Sequence, residues 1–310
     1  MKSHYATMII VTEPVLQSNV RAETDGNRIC LQKVTIDDEQ RTLLTGVSIR
    51  WAIREAFIAL MGSERLFRHH NDSNTLTGYS YGPENHASLQ DAMKYLHSIG
   101  KTPNDFLDRL FGMMVVAKGV VNNDLSRGQW KARSGVLLSD GIGLSPFAGE
   151  TTFHQGVNPK DKVEDGAVRG GDIAPYTVER DFTRYQYRVT FDLNQTSPVE
   201  LDLFLQVILA GLRVGGGHAR AESEVSPAAI LWTFYHIPGG SGIYLPQFKA
   251  DSVGTPDLTP FFERASDKGV TLYSAGKFTR QETEEKFPET IRLRDARAAI
   301  LEQSATFMKE

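Results

Sequence analysis

The chain has 310 residues, of which 40% are hydrophobic and 23% are charged, enough for one large domain with insertions or for two small ones. Its net charge of -4 and isoelectric point near 6.1 argue against a protein that holds nucleic acid through a global positive field, so RNA would have to bind in a local cationic groove. The lone cysteine, Cys30, excludes an intrachain disulfide, and the lack of an apolar signal region or bilayer-length apolar run predicts a cytoplasmic protein.

Two strands are predicted before the first helix. The apolar run ATMIIV at residues 6–11 predicts a buried strand, and a second strand is expected around residues 28–35. The polar connection between them contains Arg21. The acidic segment that follows includes Asp37 and Asp38, and this carboxylate pair has two interpretations: a solvated turn, or a metal-binding or 2′-hydroxyl-positioning pair beside an RNA backbone.

Residues 42–61, TLLTGVSIRWAIREAFIALM, have apolar side chains at helical spacing and predict an amphipathic helix with Thr45 as its N-cap. The polar face carries Arg50 and Arg54 with Trp51 between them, an arrangement that suits a phosphate backbone. The alternative is that the two arginines are solvated, or paired with nearby glutamates, and that Trp51 caps the core.

Two long polar stretches look inserted. Residues 63–105 are rich in Asn, His, Ser and Gly, with an amphipathic helix predicted near residues 88–99, and residues 147–182 form a Gly-rich, charged loop or hairpin. Between them, residues 106–121 and 133–144 are apolar and predict one or two further strands of the sheet.

The last part of the chain contains the clearest local patterns. Apolar and polar residues alternate over residues 184–193 and predict a strand, and Ser197, Pro198 and Glu200 form a capping box that starts a helix predicted to run to about Val214. The glycine run 215–217 is predicted to end this helix. A strand is expected over residues 226–237, followed by helices near residues 258–268 and 288–308.

Several segments match part of an enzyme or metal-binding motif, but none of these motifs is complete. Gly141-Ile-Gly143 breaks the dinucleotide fingerprint, and Gly276-Lys277 lacks most of a P-loop, so both are interpreted as turns. Ser241 does not stand in a nucleophile elbow, the eight histidines show no ligand spacing, and Cys30 is interpreted as a small buried residue. No catalytic residue, metal or cofactor is therefore predicted. The glycine run with His218 and Arg220 is either a helix cap or a phosphate-binding loop.

Five segments in this order and spacing resemble a known family: TLLTGVSIRWAIREAF, LFGMM, RSGVLLSDGIGLSP, RYQYRVTFDL and GLRVGGGHAR. They resemble the DevR-like backbone subunit of type I CRISPR interference complexes, of subtype I-B or similar, in the RAMP superfamily. The element order is also that of the split βαβ pattern, in which the helices that start near residues 42 and 198 would cover one face of the antiparallel sheet. The other face, with Arg184, Gln186 and Arg188, would be open or covered by the inserted segments. The resemblance implies an α+β fold with a modified RRM or ferredoxin-like palm, a helical finger insertion and a thumb hairpin or loop.

The resemblance also implies a domain division. The palm comprises residues 1–62, 106–146 and 183–245, the finger residues 63–105 and the thumb residues 147–182. A C-terminal extension, residues 246–310, is expected to pack on the palm. The chain has Gly46 and Val47 where many members of the family have serine and glutamine.

By the same resemblance, RNA contacts are expected along the first helix, the connection before it and the glycine-rich loop. These residues are Arg21, Thr45, Ser48, Arg50, Arg54, Arg133, Gly216, Gly217, His218 and Arg220. Phe147 and Phe153 are the expected thumb wedges that flip out a base.

The expected partners are CRISPR RNA, the target DNA strand paired to it, further copies of the chain, and the large, cap and guide-processing subunits of Cascade, with no membrane. Two alternatives remain at this point. The first is a type III-like ribonuclease that cuts target RNA with Asp37 or Asp38, and the second is a soluble metabolic or regulatory protein with no nucleic-acid role.

Overall fold

A computed structural model describes residues 4–17, 24–25, 28–61, 110–116, 129–156, 174–214, 223–236, 259–267, 270–276 and 290–309. Within these ranges the chain combines helices with mainly antiparallel strands, which confirms the predicted mixture of α and β structure. The strands are β1 Tyr5–Thr12, β2 Val15–Gln17, β3 Thr24–Asp25, β4 Arg28–Ile29, β5 Lys33–Ile36, β6 Glu39–Leu44, β7 Met113–Val116, β8 Gln129–Ala132, β9 Val136–Leu138, β10 Gly141–Gly143, β11 Thr151–Gly156, β12 Ala174–Glu179, β13 Asp181–Thr183, β14 Tyr185–Asp192, β15 Leu212–Val214, β16 Ser223–Val225, β17 Pro227–Tyr235 and β18 Tyr273–Gly276. The helices are α1 Gly46–Met61, α2 Pro198–Ala210, α3 Thr259–Asp267 and α4 Ala296–Phe307, the last preceded by a 3-10 turn, Leu293–Asp295.

The main sheet of the described residues has the strand order β18-β17-β1-β14-β10-β6-β5, and β9 also pairs with β14. Its pairings are antiparallel. The predicted first strand, β1, lies at the centre and pairs along its length with β14 and β17. This position suits a strand in which every residue from Ala6 to Val11 is apolar or buried, because neither of its faces meets water.

The residues of β1 divide between two cores. Met8 and Ile10 face a large cluster that includes both α1 and α2, whereas Ile9 and Val11 face a smaller cluster on the other side of the sheet. The large cluster contains Ile53 and Phe57 of α1, both fully buried. Burial of side chains of this size contributes about 1.5–3 kcal/mol each. The prediction that α1 and α2 cover the same face of the sheet is therefore confirmed.

The opposite face is covered differently from the expectation. It was predicted to be open or covered by the inserted segments, but α3, from the C-terminal part of the chain, packs Phe261 and Phe262 against it. Arg184 on this face does not extend into solvent, because its guanidinium donates hydrogen bonds to the Thr12 carbonyl and to Glu13. The charge of Arg184 is thus paired within the fold.

The capping box of α2 is confirmed, but the predicted end of this helix is wrong. The Glu200 N–H donates to Ser197 Oγ at 3.3 Å, and the Ser197 N–H donates to the Glu200 carboxylate at 2.7 Å. The helix ends at Ala210 because Gly211 adopts φ of 92°, and the chain then enters β15, which pairs with β16. The apolar residues that extended the helical pattern belong to this strand.

The last helix also begins later than predicted. Residues 290–292 run beside β18, where the Ile291 N–H donates to the Ser274 carbonyl, so α4 starts only at Ala296. The helix α3 and the strands β14 and β17 lie where the sequence predicted them. Of the apolar stretch before residue 145, β9 and β10 join the main sheet, whereas β7 pairs with β8.

The proposed thumb contains an antiparallel hairpin, β11–β12, which is extended by β4 and β3 into a four-stranded sheet. The proposed finger, residues 63–105, including the helix predicted near 88–99, lies outside the described residues. The division into palm, finger, thumb and extension therefore stays a prediction.

Candidate nucleic-acid interface

The start of α1 is fixed by hydroxyl groups. The Ser48 N–H donates to Thr45 Oγ1 at 3.2 Å, and the two hydroxyl oxygens lie 2.8 Å apart. Thr45 is therefore the N-cap of α1, as predicted, and Ser48 is exposed beside it. An exposed hydroxyl at a helix start can donate a hydrogen bond to an anionic ligand.

Gly46 brings the start of α1 close to the turn between β9 and β10. Its N–H donates to the Asp140 carboxylate at 2.6 Å. A Cβ at this position would lie 3.1 Å from the Ser139 carbonyl oxygen and 3.2 Å from that of Leu138. Glycine is thus the residue that permits this close approach of two backbone segments.

Arg50 and Arg54 lie on the same side of α1, and both contact one buried aromatic ring. Their guanidinium carbons are 5.8 Å and 5.0 Å from the ring centroid of Phe111, which is 3% exposed. Cation–π contacts of this kind hold a guanidinium in place through the face of the group. Two half-buried cations are therefore held side by side, and each keeps the planar geometry that binds phosphate oxygens.

Arg133 is near this face at the level of the backbone. The pairing of Met113 with Ala132 brings Arg133, which is exposed, close to the segment that carries Phe111. Ser134 Oγ donates to the Leu110 carbonyl at 2.7 Å, which fixes this proximity. The loop at 215–222 connects β15 to β16, and β15 packs beside α1.

Five of the predicted RNA contacts lie outside the described residues. They are Arg21, Gly216, Gly217, His218 and Arg220. Ser241 and the adjacent histidines His69 and His70 also lie there.

Asp37 and Asp38 form the two-residue turn of the β5–β6 hairpin. Both have positive φ, 50° and 63°, as the twist of a tight hairpin requires, and both are exposed. They lie at the end of β6 opposite to α1, about 20 Å away for a strand of this length. Among the described residues, no group of three or more His, Cys, Asp or Glu side chains could hold a metal ion.

The two predicted wedges have different surroundings. Phe147 is half-buried, and the Lys33 ammonium lies 4.4 Å from the centroid of the Phe147 ring. The backbone N–H of Phe147 donates to the Gln40 carbonyl. Phe153 lies on β11 and is 68% exposed. Of these two rings, the one presented by the hairpin is Phe153.

Two buried carboxylates anchor the hairpin that carries Phe153. Glu179, at the end of β12, is 1% exposed and accepts hydrogen bonds from the Leu31 N–H and from Lys33, while Arg28 approaches within 2.7 Å. Burial raises the pKa of Glu179, but the Lys33 and Leu31 hydrogen bonds and the two positive charges outweigh it and leave the pKa below its ordinary value. The carboxylate stays ionised and joins β12 to the segment before β6.

The second carboxylate, Asp181, is next to this anchor and 6% exposed. It accepts a hydrogen bond from the Thr42 hydroxyl, which lies 2.8 Å from the Tyr185 hydroxyl, and Tyr185 donates in turn to Gln17. Burial raises the pKa of Asp181, more than the hydrogen bonds from Thr42 and the Phe182 N–H lower it. Four strands, β2, β6, β13 and β14, thus meet in one buried polar network.

Three interpretations of single residues are corrected by the structure. The segment Gly141–Gly143 is strand β10, not a turn, because it pairs with β14 and β6 and packs its glycines against Leu44 and Thr42. Cys30 is half-buried, not buried. Trp51 does not cap the core, since it is 46% exposed.

Two residues of the site were not recognised from the sequence. Phe111 was part of a quoted motif but was interpreted only as apolar strand sequence, and Asp140 was not considered. The sequence gives little indication of the role of Asp140, because this residue lies 94 residues from its partner Gly46. In the part of the chain that the structure describes, no helix has the length and apolarity needed to cross a membrane.

The fold is that of chains in RNA-guided surveillance complexes. A chain of a "CRISPR RNA-guided surveillance complex, pre-nicking" superposes with a TM-score of 0.57 at 12% identity, and the match covers 97% of this chain and 100% of that one. A chain of a second "CRISPR RNA-guided surveillance complex" gives 0.52 at 13% identity, over 96% and 99% of the two chains.

A relative is also found at the level of sequence. It is the CRISPR-associated protein Cas7/Cst2/DevR of Myxococcus xanthus (strain DK1622), 26% identical over 220 residues, which cover 69% of this chain and 67% of the relative. No protein-family model matches the chain. The resemblance to DevR-like subunits predicted from the five segments is confirmed.

Proposed function

We propose that this protein is a non-catalytic CRISPR RNA-binding backbone subunit of a type I surveillance complex and that it acts in the cytoplasm. Copies of the chain assemble along the guide RNA and support its pairing with the target DNA strand. Their partners are the large, cap and guide-processing subunits of the complex. In this proposal, the sheet with α1 and α2 is an RRM-like palm, and the β11–β12 hairpin is part of the thumb.

One structural observation carries the proposal: Arg50 and Arg54 are held side by side against Phe111, one to two turns after a helix start that exposes Ser48. Paired guanidinium groups near an exposed hydroxyl form a surface for phosphate oxygens. The similarity to the relative named Cas7/Cst2/DevR and to chains of RNA-guided surveillance complexes supports CRISPR RNA as the ligand in this proposal.

The chemistry of this surface also fits the task. A subunit that must accept any guide sequence needs contacts to phosphate and ribose, because base-edge contacts would restrict the sequence. Specificity then comes from base pairing between guide and target. The acidic total charge is compatible with this role, since Arg50 and Arg54 place two cations together on one side of α1.

The proposal assigns no catalytic step to Asp37 or Asp38. Their place in a tight hairpin turn, at the far end of β6 from α1, supports this assignment. Incubation of the assembled complex with complementary RNA and Mg²⁺ is expected to leave the RNA intact. Cleavage that Asp37→Ala or Asp38→Ala abolishes would replace this proposal by the type III-like ribonuclease.

The central experiment measures binding of labelled single-stranded RNAs of unrelated sequence to the wild type and to the double variant Arg50→Ala/Arg54→Ala. Loss of a charge-assisted phosphate contact costs about 1.5–3 kcal/mol, so we expect affinity to fall about tenfold or more per arginine, equally for all sequences. The slope of log affinity against log salt should decrease by about 1.4.

The matched control removes two arginines elsewhere. Arg264 and Arg292 are exposed, and Arg292 pairs with Asp295 on the surface. The double variant Arg264→Ala/Arg292→Ala makes the same change in net charge. Affinity is expected to change less than twofold in this control. Equal binding by wild type and the Arg50/Arg54 variant at moderate salt would contradict the proposal.

A further inference from the structure

We propose that Arg188, on the face of the main sheet opposite to α1, binds a phosphate of the guide RNA. The contact would extend the path of the RNA from the start of α1 across the turn between β9 and β10. The inference rests on the proposed function and adds a residue that neither the sequence nor the resemblance assigned to RNA binding.

Arg188 lies on the side of β14 that α1 and α2 do not cover. Tyr187 and Val189, the residues before and after it, are fully buried in the core beneath these helices. Successive residues of a strand point to opposite faces of the sheet. The residue directly opposite Arg188 on β1 is Ile9, which belongs to the smaller cluster on the other face. Arg188 therefore borders the cluster that α3 covers.

The helix α3 leaves one corner of this face accessible. Thr190, two residues after Arg188, pairs with Leu137 of β9, and directly opposite residues of paired strands share a face. Leu137 is 60% exposed, and Arg188 and Thr190 are half-buried. We call the surface formed by Arg188, Thr190 and Leu137 the β9–β14 corner. A ligand can reach the guanidinium of Arg188 there.

The backbone of Arg188 is fixed, but its guanidinium has no hydrogen-bond or ion-pair partner among the residues that the structure describes. Its N–H donates to Ser139 Oγ at 2.8 Å, and its carbonyl accepts from the Ser139 N–H at 2.9 Å. Arg184, just before β14 and on the same face, pairs instead with Glu13 at 3.0 Å. The fold thus neutralises one of these two arginines and leaves the charge of the other unpaired.

One turn connects Arg188 to the start of α1. Ser139, which bonds to the backbone of Arg188, is followed by Asp140, whose carboxylate accepts from the Gly46 N–H at 2.6 Å. The acidic group of this turn is therefore engaged on the side of α1. The backbone of Arg188 and the start of α1 are about 10 Å apart, the width of two strand spacings. A single RNA strand that crosses the turn can contact both Ser48 and Arg188.

The charge at the β9–β14 corner selects an anionic ligand. An arginine guanidinium binds phosphate through two parallel hydrogen bonds, and Arg188 has these donors to offer. The acidic residue that follows on the same face of β14, Asp192, lies about 13 Å along the strand and accepts from Asn194 and Gln195. A phosphate contact reads no base, so it is compatible with any guide sequence.

The test compares the wild type with Arg188→Met and Arg188→Lys on labelled single-stranded RNAs at several salt concentrations. Methionine keeps an unbranched stem on the sheet but removes the charge. We therefore expect affinity to fall about tenfold and the slope of log affinity against log salt to decrease by about 0.7. Arg188→Lys should keep the wild-type slope and lose only part of the affinity, because lysine binds phosphate as a point charge. Arg292→Met, at an exposed position, is the matched control and should bind as the wild type does.

A second measurement uses the wild type alone and does not depend on how the variants fold. Phenylglyoxal modifies accessible arginine side chains, and mass spectrometry measures the modification of each one. An RNA short enough to bind a single copy of the chain should slow the modification of Arg188. The modification of Arg292 should be unchanged by the same RNA.

The remaining outcomes are also decisive. The inference is overturned, with the proposed function in place, if Arg50→Ala/Arg54→Ala weakens RNA binding but Arg188→Met keeps the wild-type affinity and slope, or if RNA does not protect Arg188. It is also wrong if Arg188→Met weakens only the association between copies, or only the binding of the target DNA strand. If the folded wild type binds no RNA, the proposed function fails, and the inference fails with it.

Discussion

Gly46 allows the start of α1 to lie close to the turn between β9 and β10. In Gly46→Ala, the added Cβ would lie 3.1 Å from the Ser139 carbonyl oxygen, closer than carbon and oxygen normally approach. Overpacking costs about 1–3 kcal/mol, which exceeds the gain of up to about 1 kcal/mol from replacing glycine in a helix. We expect the free energy of unfolding in urea to fall by about 1 kcal/mol, with Val47→Ala, at the next and exposed position, changing it by less than 0.5 kcal/mol. A variant as stable as the wild type would show that the turn between β9 and β10 moves freely.

A second prediction for a single residue concerns Asp181, whose ionisation should make the free energy of unfolding depend on pH. Its pKa is raised above the ordinary value of 3.8, so its contribution to stability is fully present below pH 3.8 and is lost as pH rises through the raised pKa. Asp181→Asn keeps an acceptor for the Thr42 hydroxyl but cannot ionise. The difference in unfolding free energy, variant minus wild type, is therefore expected to increase with pH between about 4 and 8. Urea titrations at several pH values measure it, and a difference that is flat or decreases with pH would contradict the raised pKa.

At the scale of elements, Glu179 is expected to hold the β11–β12 hairpin to the rest of the protein. Glu179→Gln keeps an acceptor for the Leu31 N–H but removes the carboxylate that Lys33 and Arg28 share. Loss of hydrogen bonds to a charged group predicts a fall of about 2 kcal/mol in unfolding free energy. Faster amide exchange is expected in β12 and β4, with β1 changed only by the global loss of stability. Glu39→Gln is the control. It should have little effect, because the carboxylate of Glu39 is half exposed and its partner Arg41 is also held by backbone carbonyls.

At the scale of the whole molecule, the proposal concerns how copies respond to RNA. A chain with a net charge of -4 should repel its own copies weakly in the absence of RNA, whereas an RNA long enough to contact the arginines of several copies should hold these copies together. We expect light scattering after size exclusion to show a mass that increases stepwise with RNA length. Arg50→Ala/Arg54→Ala should show no such increase at the same protein concentration. One bound copy regardless of RNA length would contradict assembly along a guide.

The sequence by itself determined the elements whose signals are local. The capping box of α2, the Thr45 cap of α1, the alternating strand β14 and the apolar strand β1 all depend on residues within a few positions of one another. The pair Arg50 and Arg54 could be placed on one side of α1 for the same reason, since four residues make about one helical turn.

Only the tertiary structure decided the features that depend on distant partners. Leu212–Val214 continued a helical pattern in the sequence but is a strand, because pairing with Ser223–Val225 replaces the helical hydrogen bonds after Gly211. The contact of both arginines with Phe111, the approach of Gly46 to Ser139 and the exposure of Trp51 likewise depend on segments brought together by folding. A local pattern records which face of an element is apolar, but the neighbour that covers the face is selected by packing among all the elements.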